Sequence, residues 1–360
     1  TLEAGLDQVR VFARELQFRT ALRTLKGDLE PVRAARAFSM AADCSIRALL
    51  ALAQVEISRR HGRIAAGEFV VVGLGKLGGE EMTASSDLDL LFVYDFDPDH
   101  AFSDGPTPLH ATQYFTRLGQ RLISLLTVAT VQGRLYEVDM RLRPSGRAGP
   151  VAVTLGRLKS YHEGDAWVYE QMALTRARIV AGSPLFAPRV QSAIRDLIMI
   201  ERNIEALSRD AADIRRRLRE AKVSEDPWNL KFVRGGLVDL EYIAQVLLLA
   251  FANRQSEIVC SPTIEIFKHL AVYRLVSELD LCEMIAITES FQGLTQLLRI
   301  VYEREYAPVD APAELKSRLC TIAKVPNFAA LEDWLRLKQA RVSDLFDIYV
   351  ENLAITLSKT

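Results

Sequence analysis

Residues 68–94 read EFVVVGLGKLGGEEMTASSDLDLLFVY, and the order of residue types in this stretch decides the fold. Glu68-Phe69-Val70-Val71-Val72-Gly73 is a short β-rich run and Leu88 to Tyr94 is a second, with a glycine-rich turn between them. Such runs, rich in β-branched and aromatic residues and bounded by glycine, read as strands, here as neighbours in one sheet. Side chains alternate across a strand, so Asp87 and Asp89, spaced i and i+2, project to the same side. Two carboxylates held together repel unless a cation lies between them. Magnesium is the natural guest, because it favours hard oxygen ligands and keeps waters and substrate phosphates as its other partners.

The glycines at 78 and 79 allow close backbone approach, and consecutive amides in such a turn make an anion-holding concavity suited to a triphosphate. Ser85 and Ser86 offer hydroxyl donors to the same phosphates. Lys76 adds a positive charge, or is a solvated turn lysine. A third carboxylate is needed if two metal ions are to clamp a phosphoryl displacement. Asp139 closes a third expected strand within Arg134–Met140 and is the best candidate, although Glu137 shares its face and periodicity alone leaves both open. Directly beyond, Arg141-Leu142-Arg143-Pro144-Ser145-Gly146 is a turn with two guanidinium groups of the kind that match phosphate oxygens, or that serve in surface ion pairs.

Outward from this centre, apolar residues from Leu2 to about Arg60 recur at three and four, as in Val9, Phe12, Ala13 and Leu16, which predicts two or three amphipathic helices. A helix is expected over His110–Thr127 and an extended piece near Val151–Val153. After about Leu155 strand signals nearly vanish and long helical patterns run to the end, broken at Gly182-Ser183-Pro184, Asp226-Pro227, Gly235-Gly236, Ser261-Pro262 and Pro308–Pro312. The expected division is residues 1–62 as N-terminal helices, 63–187 as the catalytic domain and 188–360 as a helical bundle, an α+β chain with a mixed sheet and flanking helices.

The 360 residues carry a formal net charge of −1, which gives no general attraction to nucleic acid. Cys44, Cys260, Cys282 and Cys320 lack CxxC spacing, so neither zinc nor a disulfide framework is indicated, and buried free thiols in a reducing cytoplasm are expected. The histidines show no ligand spacing. No stretch approaches roughly 18 uninterrupted apolar residues, and no basic-then-apolar signal opens the chain, so no membrane association is expected. The first residue is Thr1, which hints at a piece of something longer. Lys231, Arg234 and Gly235-Gly236 could contact a second phosphate, but a structural turn with Asp239 and Glu241 in salt bridges is the preferred reading. Trp167, Tyr169 and Trp228 could stack on adenine, with core packing preferred.

Taken together, GKLGG followed by SDLDL, the segment Tyr136–Pro150 (YEVDMRLRPSGRAGP) and Trp167–Arg178 resemble the glutamine synthetase adenylyltransferases, bacterial members of the DNA polymerase β-type nucleotidyltransferases with two related catalytic domains. The similarity spans about residues 65–250, including Asp226–Lys231 and Gly235–Glu241, and is looser at the flanks. It implies a polymerase β-like sheet, Asp87, Asp89 and Asp139 as ligands of two Mg2+ ions, and ATP as substrate. It further implies glutamine synthetase as protein substrate, and the PII signal protein and glutamine as regulators of the full-length enzyme. One half of such enzymes attaches AMP to a synthetase tyrosine and the other removes it by phosphorolysis. RLRPSG and MALTRAR resemble the attaching half, whereas GLGKLGG also resembles the removing half. A small-molecule nucleotidyltransferase and a non-catalytic regulatory module are the competing expectations.

Overall fold

The computed structural model describes residues 2–222, 224–302 and 308–357. Two long helices open the chain, α1 (Leu2–Lys26) and α2 (Pro31–His61), followed by β1 (Glu68–Gly73), the single turn α3 (Gly75–Gly78) and β2 (Leu88–Asp95). Next come α4 (Ala111–Thr127), β3 (Val138–Asp139), β4 (Ala152–Thr154), α5 (Leu155–Gly164), α6 (Val168–Leu174), β5 (Arg178–Gly182) and α7 (Ala187–Ile198). The chain is α+β, as the sequence predicts, and its residues group into two compact units.

The first unit comprises residues to Arg19, Arg36–Met82 and Ser86–Leu197, and holds the whole sheet. The strand order is β3-β2-β1-β5, with β4 also on β2. β1 is antiparallel to both β2 and β5, whereas β3 and β4 run parallel to β2. β2 is therefore paired along both edges, which explains why Leu88, Leu90, Leu91, Phe92 and Val93 are all buried and why it reads as a near-continuous apolar run. Helix α4 covers the sheet because Tyr114, Phe115, Leu118, Leu122, Leu125 and Leu126 recur at three and four and are buried. Phe115 stacks on Tyr94 at 4.9 Å and on Phe69 at 5.9 Å, and Gly119 lets the helix approach Phe92, which a Cβ there would meet at 2.7 Å.

Two expectations need correction. The strand expected over Arg134–Met140 is paired only at Val138–Asp139, because the preceding backbone is held by α1 instead. There the fully buried Arg10 donates to Gly133 O at 3.0 Å, and Gln17 donates to the Tyr136 hydroxyl at 3.0 Å. Conversely β5 was unexpected, its Arg-Ile-Val-Ala-Gly run being short and lying within a helix-rich region, yet it pairs with β1 over four positions with a register shift at Val71/Val72. The same Arg10 guanidinium donates to Leu125 O and Val128 O at the C-terminal end of α4, where carbonyls attract positive charge. Desolvation pushes its pKa down.

The second unit comprises Thr20–Ala35, Thr83–Ser85 and Ile198 onward, and is helical. Its helices are α8 (Ile204–Ala221), α9 (Leu237–Phe251), α10 (Thr263–Val272), α11 (Glu278–Val301), α12 (Ala313–Ala323), α13 (Phe328–Phe346) and α14 (Leu353–Leu357). Helix α9 is buried on nearly every side, which fits its LVDLEYIAQVLLLAF sequence. Within it Asp239 pairs with Arg215 of α8 at 2.5 Å, both side chains being fully buried, and accepts the Gly235 amide at 2.6 Å. Among the described residues Pro31–His61 is long and apolar enough to cross a membrane, although 56% of its most apolar window is buried inside the structure. The cysteines are free, but the expected burial holds only for Cys320: Cys44 and Cys260 are half-buried and Cys282 is exposed on the outer side of α11.

Candidate active site

The sheet sets the site. The parallel pairing of β2 with β3 puts Leu88 opposite Val138 and Asp89 opposite Asp139, so two carboxylate-bearing residues stand side by side on adjacent strands. Asp87 lies just before β2, two residues ahead of Asp89, and is exposed where Asp89 is half-buried. The two candidates left open, Glu137 and Asp139, differ in register and exposure. Glu137 is exposed and accepts from Arg134 at 2.9 Å, whereas Asp139 is 17% exposed and aligned with Asp89.

Asp139 is also tied to the turn behind it. The Arg141 amide donates to its Oδ1 at 2.8 Å, and the Arg141 Nε reaches Oδ1 at 3.0 Å and Oδ2 at 2.7 Å. These hydrogen bonds, the charge of Asp139 itself and then those of Asp89 and Asp87 all raise the Arg141 pKa, so this guanidinium sits in the combined field of the three carboxylates. Arg143 behaves differently. It donates to Gly149 O at 3.1 Å and Met140 O at 2.9 Å, lacing the turn closed, and burial lowers its pKa. Ser145 in that turn takes a left-handed conformation, φ 62°.

Across the site, the glycine-rich segment forms α3. Its first glycine, Gly75, has φ +52°, and a Cβ there would fall 2.3 Å from Asp89 Oδ2. The Leu74 amide donates to Asp89 O at 2.9 Å, fixing this turn to β2. Gly78 and Gly79 do something other than the expected phosphate cradle. Both are buried, their amides are spent on Leu74 O and Gly75 O, and a Cβ on Gly78 would lie 1.7 Å from Arg176 O. The close approach they permit is to their own chain, so it is the Gly75 end of the turn that lies against Asp89. Lys76 and Ser86 are half-buried and Ser85 is exposed.

The Thr175–Arg178 segment, which sequence reasoning could quote but not explain, supports this turn from behind. Arg176 pairs with Glu81, and Arg178 forks onto Asp43 at 2.6 and 3.0 Å while donating to Leu77 O at 2.9 Å. Glu170 is buried and accepts from the Tyr161 hydroxyl at 2.9 Å and the Trp167 amide at 2.9 Å. In the sequence this segment stands out only by its resemblance over Trp167–Arg178, which does not name these partners. Trp167 and Tyr169 are not core residues as expected, being 69% and 38% exposed, because this buried carboxylate holds the start of α6 at the surface. Trp228 is in the core, stacked on Phe328 at 5.5 Å.

Neither does the Gly235-Gly236 turn present its cations to an anion site: Lys231 lies over the Phe232 ring at 4.9 Å and Arg234 donates to Ser343 at 2.6 Å. It is a structural turn, its Gly235 (φ +76°) packed on Gln339 O. A cavity of about 790 Å3 in the first unit, walled by α2, α4 and β5, is not lined by Asp87, Asp89 or Asp139.

The donor set of Asp87, Asp89 and Asp139 is all carboxylate oxygen, which fits a hard divalent cation and excludes a soft one. As the side chains stand, no group of three or more acidic, histidine or cysteine residues among those described encloses a metal ion. Residues 2–192 match the family model for glutamate-ammonia ligase adenylyltransferase, and that span contains the sheet and all three aspartates. The chain belongs to that family. It is 40% identical over 355 residues to a bifunctional glutamine synthetase adenylyltransferase/adenylyl-removing enzyme of Xanthobacter autotrophicus, covering 98% of this chain and 36% of the relative. It is 37% identical over 349 residues to the one from Bradyrhizobium diazoefficiens (97% and 35%), and 37% over 350 residues to the one from Mesorhizobium japonicum (96% and 35%). The chain thus spans about a third of the length of the curated relatives it matches.

Proposed function

We propose that this member of the glutamate-ammonia ligase adenylyltransferase family transfers AMP from ATP to a tyrosine hydroxyl of glutamine synthetase, releasing pyrophosphate. The observation that carries the reading is the register that sets Asp89 beside Asp139, with Asp87 two residues before Asp89. Asp87, Asp89 and Asp139 would hold two Mg2+ ions, which when bound supply Lewis-acid polarisation of the α-phosphate and charge neutralisation of the leaving pyrophosphate. A phenol ionises near about pH 10, so the acceptor must lose its proton as it attacks. Asp139 is the base assigned to it, its carboxylate standing next to Asp89 on the adjoining strand. The tyrosine oxygen bonds to the α-phosphorus while the bond to the bridging oxygen of pyrophosphate breaks, and the phenolic proton passes to Asp139.

Arg141 is the phosphate-facing cation in this scheme, since its side chain is 66% exposed whereas Arg143 is committed to two backbone carbonyls. Lys76, Ser85 and Ser86 are the proposed donors to the triphosphate. In the full-length protein, PII and glutamine are the proposed regulators and the cytoplasm the proposed site of action. A second reading, phosphorolytic removal of AMP to give ADP, is favoured by the GLGKLGG turn at residues 73–79. One experiment separates them. The chain is incubated with labelled ATP, Mg2+ and unmodified synthetase, and in parallel with adenylylated synthetase and inorganic phosphate. Label on the synthetase supports attachment, release of ADP supports removal, and neither product overturns both.

A further inference from the structure

We propose that Arg141 is the built-in counter-ion of the acidic cluster, and that its guanidinium must leave Asp139 before a divalent cation is bound there. This rests on Asp87, Asp89 and Asp139 being metal ligands. Three features carry it. The Asp139 carboxylate is engaged by Arg141 on both oxygens, with Nη2 on Oδ2 at 2.5 Å in addition to the two Nε contacts. With that fork closed, no three acidic side chains among the described residues converge on a common point, although the strand register aligns two of their backbones. The guanidinium itself has 66% of its side chain in solvent and a carboxylate partner only 17% exposed, so it can swing outward without opening the core.

The guanidinium side of the contact is open to water and costs side-chain entropy to hold, whereas a divalent cation carries twice the charge. Departure of the side chain would still leave the carboxylate aimed, because the Arg141 amide donates to Oδ1 at 2.8 Å independently of the guanidinium. The released guanidinium remains beside the cluster, anchored at the next residue but one, where it can meet a phosphate oxygen. Metal arrival and phosphate recognition are thereby coupled: without the metal, Arg141 is spent on Asp139, and with it, the same group becomes available to the nucleotide.

The test measures Mn2+ binding to the purified chain by electron paramagnetic resonance, without nucleotide, in wild type, Asp89→Asn, Arg141→Gln, Arg141→Lys and Arg134→Gln. The last removes an equal charge from the same segment but from a residue paired to Glu137. Arg141→Gln is expected to tighten Mn2+ binding by about tenfold, Arg141→Lys by less, and Arg134→Gln hardly at all, since Coulomb effects fall with distance and screening. In wild type, the Arg141 Nε–H nuclear magnetic resonance signal should lose its protection from exchange as Mg2+ is added. Equal affinity in Arg141→Gln and Arg134→Gln, or an Nε–H signal unmoved at saturating Mg2+, overturns the displacement while leaving the metal assignment standing. Mn2+ binding that Asp89→Asn does not weaken would instead overturn the metal assignment itself.

Discussion

Single residues decide two separate matters, chemistry and stability, in the two units. Asp89→Asn keeps the volume of the side chain and removes only its charge, so transfer activity is expected to fall at least about a hundredfold, the scale for losing one preorganised charge-stabilising group, with the thermal unfolding midpoint nearly unchanged. An assay of AMP transfer alongside a melting curve checks both halves of that statement. In the helical unit, Arg215 and Asp239 are 0% and 2% exposed, and an uncompensated buried charge is costly. Asp239→Asn should therefore lower stability by about 3–5 kcal/mol. Urea unfolding would report a lower midpoint at unchanged slope, and a loss under about 1 kcal/mol would mean the guanidinium finds other compensation. Asp239 as an ion-pair residue was legible in the sequence. Its partner was not, since Arg215 lies on another helix and only tertiary packing selects it.

Among the elements, the short turn α3 holds a contrast that sequence alone could not draw. GLGKLGG offers four glycines with equal freedom on paper, but Gly75 has positive φ and lies against the Asp89 carboxylate, while Gly78 lies against Arg176 O. Gly78→Ala is expected to destabilise the first unit by about 1–3 kcal/mol, the usual cost of forcing atoms into a packed contact. Gly75→Ala should instead displace Asp89 and cost activity in excess of stability; unfolding midpoints and AMP-transfer rates of the two variants, compared side by side, test the contrast. The strands β1 and β2 were readable as short, nearly continuous apolar runs bounded by turn residues, and helix α4 because it buries a periodic face. The truncation of β3 was not, because what ends it is a set of side chains from α1, far away in sequence. Nor was β5 readable, since a five-residue edge strand carries too little pattern to stand out among helices.

For the molecule as a whole, the thiols give an independent check of the packing. Burial pushes the Cys260 pKa up to about 12 from 9.0, with Glu265 adding to the shift, so this thiol stays protonated. At about pH 8, an alkylating reagent that attacks thiolates should label the exposed Cys282 first and leave Cys260 unmodified until the chain unfolds, as peptide mass mapping would show. The folded state holds that proton more tightly than the unfolded state, so Cys260 makes stability decline as pH rises above 9.0 toward about 12. The proposed acidic group was nameable from local patterns, an aspartate pair at i and i+2 and an acidic strand end before an arginine turn, whereas the Arg141 fork onto Asp139 is a matter of side-chain geometry that no local pattern encodes. One further consequence lies in the way β2 is shared: its start carries Val138–Asp139 and its later half carries Ala152–Thr154, both parallel to it. Residues 140–151 thus leave and rejoin the same strand, so the entry and exit of the arginine-bearing turn are pinned to one rail.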